Sequence, residues 1–143
     1  MASRKILPYR RTVQYYETDQ MGIAHHANYL HWMEEARIDF MAQLGYPYAD
    51  MEKRDILSPV TAIRCTYQRS CTFGDELALL LSVKAYNGVV LTMDYQIQKA
   101  ASGETVAQAE SDHVFLRRAG GFVRLRRDLP EFDACLRELM AEA

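Results

Sequence analysis

The sequence predicts an α+β protein in which one long helix is wrapped by a curved antiparallel β-sheet. Three observations carry this. Only residues 27–44 combine helical composition with real length, and they are apolar around most of the helix circumference. Several other stretches alternate apolar and polar residues at the period of a strand, separated by short turns rich in Gly and Asn. The order is strand, helix, then four or five further strands, which suits a helix packed on one face of an antiparallel sheet. At 143 residues the chain is expected to form one domain, 1–143, with a core of useful size.

Residues 9–17 alternate and carry Tyr and Val, so a first strand is expected there. In the helix at 27–44, Leu30, Met33, Arg37, Met41 and Leu44 share one side, and Tyr29, Trp32, Ala36 and Phe40 widen it. Only a narrow stripe through His31, Glu35 and Asp39 is expected to be wet. Gly45, followed by Tyr46 and Pro47, stops the helix. A polar connection over 46–58 leads to a strand from Pro59, with Ile63, Cys65 and Tyr67 on one face. Leu77, Leu79, Leu81, Val83 and Ala85 mark the inward side of the next strand, and Asn87-Gly88 suggests a two-residue type I′ hairpin. The return strand puts Leu91, Met93, Tyr95 and Ile97 inward. A further strand over 105–117 carries Ala107, Ala109, Ser111, His113 and Phe115, and a short one is expected at 122–126. Residues 130–142 read as a terminal helix with Phe132, Leu136, Leu139 and Met140 inward.

Between the first strand and the long helix lie the carboxylate Asp19 and the histidines His25 and His26. Backbone N–H groups at a helix start are unpaired and sit at the positive end of the dipole. Such groups can polarise a carbonyl oxygen while keeping a nearby acid ionised. This stretch therefore reads as an active site, although Asp19 taken alone would more often be an Asx-turn or cap residue. Gly22 allows a tight turn. Adjacent histidines rarely converge on one ion and the cysteines are distant, so His25, His26 and His31 with Asp19 are not expected to bind metal. Asn28 reads as a cap or tether, Tyr29 as a pocket or core residue, and His113 as a satisfied, partly buried histidine.

The pattern Tyr15-x-x-Thr18-Asp19-x-x-Gly22-Ile23-x-x-His26-Ala27-Asn28-Tyr29-Leu30, followed by Glu34, Glu35 and Arg37, resembles the signature of the hotdog-fold acyl-CoA thioesterases. Within them it is most similar to the 4-hydroxybenzoyl-CoA thioesterase family, in its YbgC-like branch. Tyr67, Phe73-Gly74-Asp75 and His113-Val114-Phe115-Leu116 fit as well, so the resemblance spans nearly the whole chain. It implies a hotdog fold and hydrolysis of an acyl- or aryl-CoA thioester to free acid and coenzyme A. Asp19 would be nucleophile or general base, the backbone N–H of His26 the oxyanion donor, and Gly22 the tight turn between them. Tyr29, Asn28, Tyr67, Arg64 and Arg69 are the candidate substrate contacts, with Arg117 and Arg118 also available for phosphates. The carrier would be coenzyme A or acyl carrier protein, and no cofactor is implied. The resemblance further implies a homodimer, or a homotetramer of such dimers, with substrate entering between subunits. The proline-free stretches 77–86 and 89–98 are the expected free edge.

Two residues depart from the family pattern, which usually has an aromatic where His25 stands and a proline where Ser70 stands. Another hotdog lineage places its catalytic carboxylate on the helix, but Glu34 and Glu35 read here as part of a polar stripe. A hotdog hydratase or dehydratase is the rival enzyme class. Its more compact Asp-x-Asn-x-x-His signature is not matched, because Gly22 follows a two-residue gap after Asp19. A non-catalytic acyl-CoA sensor would carry a DNA-binding segment, which the sequence lacks.

The net charge of −2 is interspersed, without a basic stripe or tail, which argues against nucleic acid as a partner. No apolar run reaches membrane-span length, and residues 1–7 carry too little apolar sequence before Pro8 for a signal peptide. Three cysteines without metal or redox spacing point to reduced thiols in the cytoplasm.

Overall fold

The structure, a computed structural model, describes residues 5–142. Residues 1–4, most of the segment read as too polar for a leader, lie outside it. Strand β1 (Tyr9–Thr12) leads through a 3-10 turn (Tyr15–Glu17) and a loop into helix α1 (Asn28–Gln43). A short helix α2 (Tyr48–Lys53) follows, then strands β2 (Val60–Tyr67), β3 (Glu76–Tyr86), β4 (Leu91–Lys99) and β5 (Thr105–His113), and finally helices α3 (Leu125–Asp128) and α4 (Pro130–Glu142). The five strands form one antiparallel sheet in the order β1-β3-β4-β5-β2. This is the hotdog arrangement expected from the sequence. Among the described residues no helix is long and apolar enough to cross a membrane.

Helix α1 starts and stops within a residue of expectation, and Gly45 beyond it takes a left-handed φ of 93°. Tyr29, Trp32, Met33, Ala36, Arg37, Phe40 and Met41 are buried. The wet side is wider than the His31–Glu35–Asp39 stripe, because Leu30 and Ile38 are also exposed. A single sheet packs against one flank of the helix only.

Other departures have local causes. The first strand stops at Thr12 because the Val13 N–H turns to the Asp75 carbonyl and the Glu17 carboxylate accepts the Gln14 N–H, winding 15–17 into a turn. The connection at 46–58 contains α2, anchored by buried Met51. The β3–β4 turn centres on Gly88 and Val89 rather than Asn87 and Gly88, since Asn87 pairs with Val90 and its side chain accepts the Val89 and Val90 N–H groups. An irregularity between Val83 and Ala85 then turns Tyr86 inward instead of Ala85. The short strand expected at 122–126 is a lone bridge, Leu116 to Phe122, and the chain coils into α3. Strand β4 lies between β3 and β5, so it is not the free edge the sequence suggested, and β3 is flanked by β4 and, at its start, by β1. The order leaves β1 and β2 at the two sheet edges, and residues 80–86 of β3 run on beyond the residues that pair with β1.

One core residue, His113, departs from the expectation of a satisfied, partly buried histidine. His113 is fully buried, with Nε2 at 2.6 Å from the Ser111 hydroxyl, which also meets Tyr95. Its Nδ1 is the buried side-chain polar atom without a hydrogen-bond partner among the described residues. Burial, reinforced by the positive charge of Arg37, lowers its pKa from 6.5 to about 4. In the unfolded chain this imidazole takes a proton near pH 6.5, whereas in the fold it stays neutral down to about pH 4. Stability should therefore be complete above pH 6.5 and fall as pH drops toward 4, by on the order of 3 kcal/mol from this group. Urea unfolding of the wild type and of His113→Gln at pH 7 and pH 4.5 checks this. The variant should lose much less stability across that interval.

Candidate active site

Loop 18–27 is held from both sides. Asp19 N–H donates to the Ile23 carbonyl at 3.0 Å and Gly22 N–H to the Asp19 carbonyl at 2.9 Å, closing a tight turn. Gly22 takes φ of 78°, a conformation that a residue with a Cβ adopts only under strain. The Thr72 hydroxyl donates to the Gly22 carbonyl and the Ala24 N–H to the Cys71 carbonyl, tying the loop to the segment before β3.

The half-buried Asp19 accepts the Met21 N–H on Oδ1 at 2.8 Å, the Asx-turn the sequence allowed. Its Oδ2 has no donor among the described residues. Helical winding begins upstream of α1, since the Asn28 N–H reaches the His25 carbonyl and the Tyr29 N–H the His26 carbonyl. His25 Nδ1 accepts the Ala27 N–H at 3.2 Å, so this ring caps the helix start. The His26 N–H has no acceptor among the described residues. A carboxylate oxygen and an amide donor are thus both free around the start of α1.

Asp19, His26, Tyr29, Tyr67 and Arg69 line one cavity of about 280 Å³. Tyr67 donates its hydroxyl to the His26 carbonyl at 3.1 Å and stands edge-on to the Tyr29 ring, whose own hydroxyl meets Cys71 Sγ at 3.3 Å. Burial, with Cys65 adding, pushes the Tyr67 hydroxyl up to about 12, so it remains a proton donor. Asn28 tethers the loop, its Nδ2 donating to the Glu17 carbonyl at 2.8 Å. It is not among the residues lining the cavity.

The arginines separate. Arg69 reaches the cavity and pairs with Glu104 at 3.4 Å. Arg64 does not line it and pairs with Glu110 at 3.0 Å. Arg117 and Arg118 rim a second, larger cavity of about 460 Å³, walled by Met41, Tyr48, Met51 and Leu57 at the other end of α1. That cavity contains neither Asp19 nor His26. Among the described residues, no group of three or more His, Cys, Asp or Glu side chains is placed to hold a metal ion.

Sequence reasoning missed Glu17, which it placed at the end of a strand. Its carboxylate is 4% exposed. It accepts Arg11 Nη1 at 2.7 Å, the Gln14 N–H at 2.8 Å and the Trp32 indole N–H at 2.8 Å. Burial alone would raise its pKa, but these hydrogen bonds outweigh burial and hold it below the ordinary carboxylate value. Arg11 also pairs with Glu35 and lies over the Trp32 ring. The available signal was the pairing of Glu17 with Arg11 six residues earlier, in a segment otherwise reading as strand.

Residues 13–139 match the family model of the thioesterase-like superfamily. "Putative acyl-CoA thioesterase YneP" of Bacillus subtilis (strain 168) is 42% identical over 102 residues, which is 71% of this chain and 73% of that protein. A "Putative esterase" of Aquifex aeolicus (strain VF5) is 31% identical over 123 residues, 86% of this chain and 94% of that one. The solved structure described as DHNA-CoA thioesterase from Staphylococcus aureus superposes with a TM-score of 0.89 at 29% identity, covering 94% of this chain and 91% of its own.

Proposed function

This chain belongs to the thioesterase-like superfamily, and from that premise we propose that it hydrolyses acyl-CoA thioesters with Asp19 and the His26 backbone N–H as its reacting pair. The observation that supports the residue assignment is the cavity at the start of α1, which is lined both by Asp19, whose second carboxylate oxygen has no donor among the described residues, and by His26, whose N–H has no acceptor among them. The substrate carbonyl oxygen accepts the His26 N–H, which stabilises the negative charge that develops there; one such donor is typically worth roughly 10²–10³ in rate. Asp19 either attacks the carbonyl carbon itself or takes a proton from the water that does. The C–S bond breaks and coenzyme A leaves as its thiolate, which takes up a proton. On the base route the attacking water's oxygen is already in the free acid. On the nucleophile route the acyl group is left on Asp19 as a mixed anhydride, which a water molecule then hydrolyses to the free acid.

The acyl group enters beside Tyr29 and Tyr67, whose rings suit an aromatic or apolar acyl chain. We take residues 1–143 as one thioesterase domain, working in the cytoplasm as a homodimer or a tetramer of dimers. The finer kinship with the 4-hydroxybenzoyl-CoA branch is part of this proposal, resting on the motif around Asp19. A panel of short, long and aromatic acyl-CoAs, read by release of free thiol, tests it. Turnover with at least one class is expected; no thiol release across the panel would overturn the function.

Arg69 is the one arginine of the four candidates that lines this cavity. It should attract the phosphates of the substrate rather than act in the chemistry. Between about 0.01 M and 0.1 M salt the Debye length falls from about 30 to about 10 Å. KM should therefore rise severalfold over that range while kcat changes little, and Arg69→Ala should raise KM and weaken its salt dependence. Steady-state kinetics at the two salt concentrations decide; equal KM values would remove Arg69 from substrate binding.

A further inference from the structure

We propose that Glu17 is a positioning residue that fastens both ends of loop 18–27 and so sets turnover without touching substrate. The proposal rests on the assignment of Asp19 and the His26 N–H as the reacting pair. Its basis is that one residue makes two sets of bonds in two directions. Through its backbone carbonyl, Glu17 accepts the His25 N–H at 2.8 Å and Asn28 Nδ2 at 2.8 Å, drawing the far end of the loop back to its beginning. Through its carboxylate it grips Arg11 of β1, the Gln14 N–H of the 3-10 turn and the Trp32 indole of α1.

The consequence is geometric. Asp19 lies two residues after Glu17, and His26 follows the residue whose N–H Glu17 accepts. The separation of Asp19 from the His26 N–H is therefore fixed through Glu17, and Glu17 is fixed to the sheet and the helix by its side chain. Arg11 extends the lock, since its Nε pairs with Glu35 of α1 at 2.9 Å and Glu35 also receives the Tyr9 hydroxyl at 3.1 Å. Buried Glu17 sits outside the cavity that contains Asp19 and His26. A displacement of about 1 Å in a reacting group can cost on the order of 10²-fold in rate.

Glu17→Gln keeps the shape and one oxygen acceptor but sets an amide N–H₂ either against the Trp32 indole N–H or against the Arg11 and Gln14 donors, so one set of bonds is lost whichever way the amide lies. Trp32→Phe removes the indole donor and leaves the carboxylate in place. Both should lower kcat at least tenfold while KM stays within about threefold, measured well below each variant's melting temperature and corrected for folded fraction. Hydrogen exchange of amides 18–28 should accelerate in both variants, whereas exchange in β4 and β5 stays as in the wild type. A residue that merely stabilised the fold would lower the melting temperature and leave corrected kcat and loop exchange unchanged, and that result would overturn the proposal. If the wild type itself released no thiol, the thioesterase reading would fail separately, and loop exchange alone would still decide whether Glu17 holds the loop.

Discussion

Replacing Asp19 by Asn should lower thioester turnover by roughly 10²–10⁴, the range typical of a lost general base, with little change in the melting temperature. The fold should survive because the amide keeps the bond that matters locally. Oδ1 of Asp19 accepts the Met21 N–H, and the Oδ1 of Asn accepts it equally well. The turn is otherwise held by backbone bonds from Asp19 N–H to Ile23 and from Gly22 N–H to Asp19, which the substitution does not touch. What disappears is the second oxygen, which has no donor among the described residues and is therefore available as base or nucleophile. The amide that replaces it is neither. KM should move much less than kcat, since Tyr29, Tyr67, Arg69 and the His26 N–H all remain. Thiol release by the purified variant, beside its thermal unfolding curve, gives the answer. A variant that unfolds normally and keeps more than half the wild-type turnover would sink the assignment.

The parts of the fold that were legible in the sequence are those where one physical signal dominates. The helix around Trp32 and Phe40 declared itself by length and by Gly45 at its end, and the strand around Met93 and Tyr95 by strict alternation. Where tertiary hydrogen bonds compete with pattern, the pattern misled. Glu17 looked like the tail of a strand because its partners, Arg11 and Trp32, come together only once β1 and α1 are packed. Tyr86 looked outward because a one-residue irregularity reverses the face, and no alternating pattern encodes that. At the site, Asp19, Gly22 and His26 were visible as a motif. The capping of Ala27 by His25 was not, because it depends on a ring rotamer. Arg64 and Arg69 could not be told apart either, although of the two only Arg69 reaches the cavity.

The second large effect concerns assembly and follows from the proposed homodimer: Ile63→Lys should leave a monomer with little or no thioesterase activity. Strand β2 pairs with β5 on one side and with no strand on the other. Its residues Ile63, Cys65 and Tyr67 lie opposite Ser111, Ala109 and Ala107, of which Ser111, Ala107 and Ala109 are buried. That register gives β2 an apolar inner face, as the sequence suggested. Yet Val60, Ile63 and Tyr67 remain 40%, 37% and 43% exposed. An edge of this length, proline-free and with Arg64 as its one charge, is what proteins ordinarily cover or pair. A second copy brought up antiparallel about a two-fold axis would satisfy the unpaired backbone groups and bury the apolar side chains together. The edge also ends at the site, because Tyr67 donates to the His26 carbonyl and stands against Tyr29. Dissociation would thus expose one wall of the cavity to water and weaken the electrostatics on which the His26 N–H depends. A lysine at position 63 puts a charge at the centre of the pairing edge while β2 keeps its ladder with β5. Sedimentation and thiol release over one dilution series, for the wild type and for Ile63→Lys, test both halves of this. Activity should fall along the same concentration curve as the dimer, and a wild-type monomer with full turnover would refute the two-chain site.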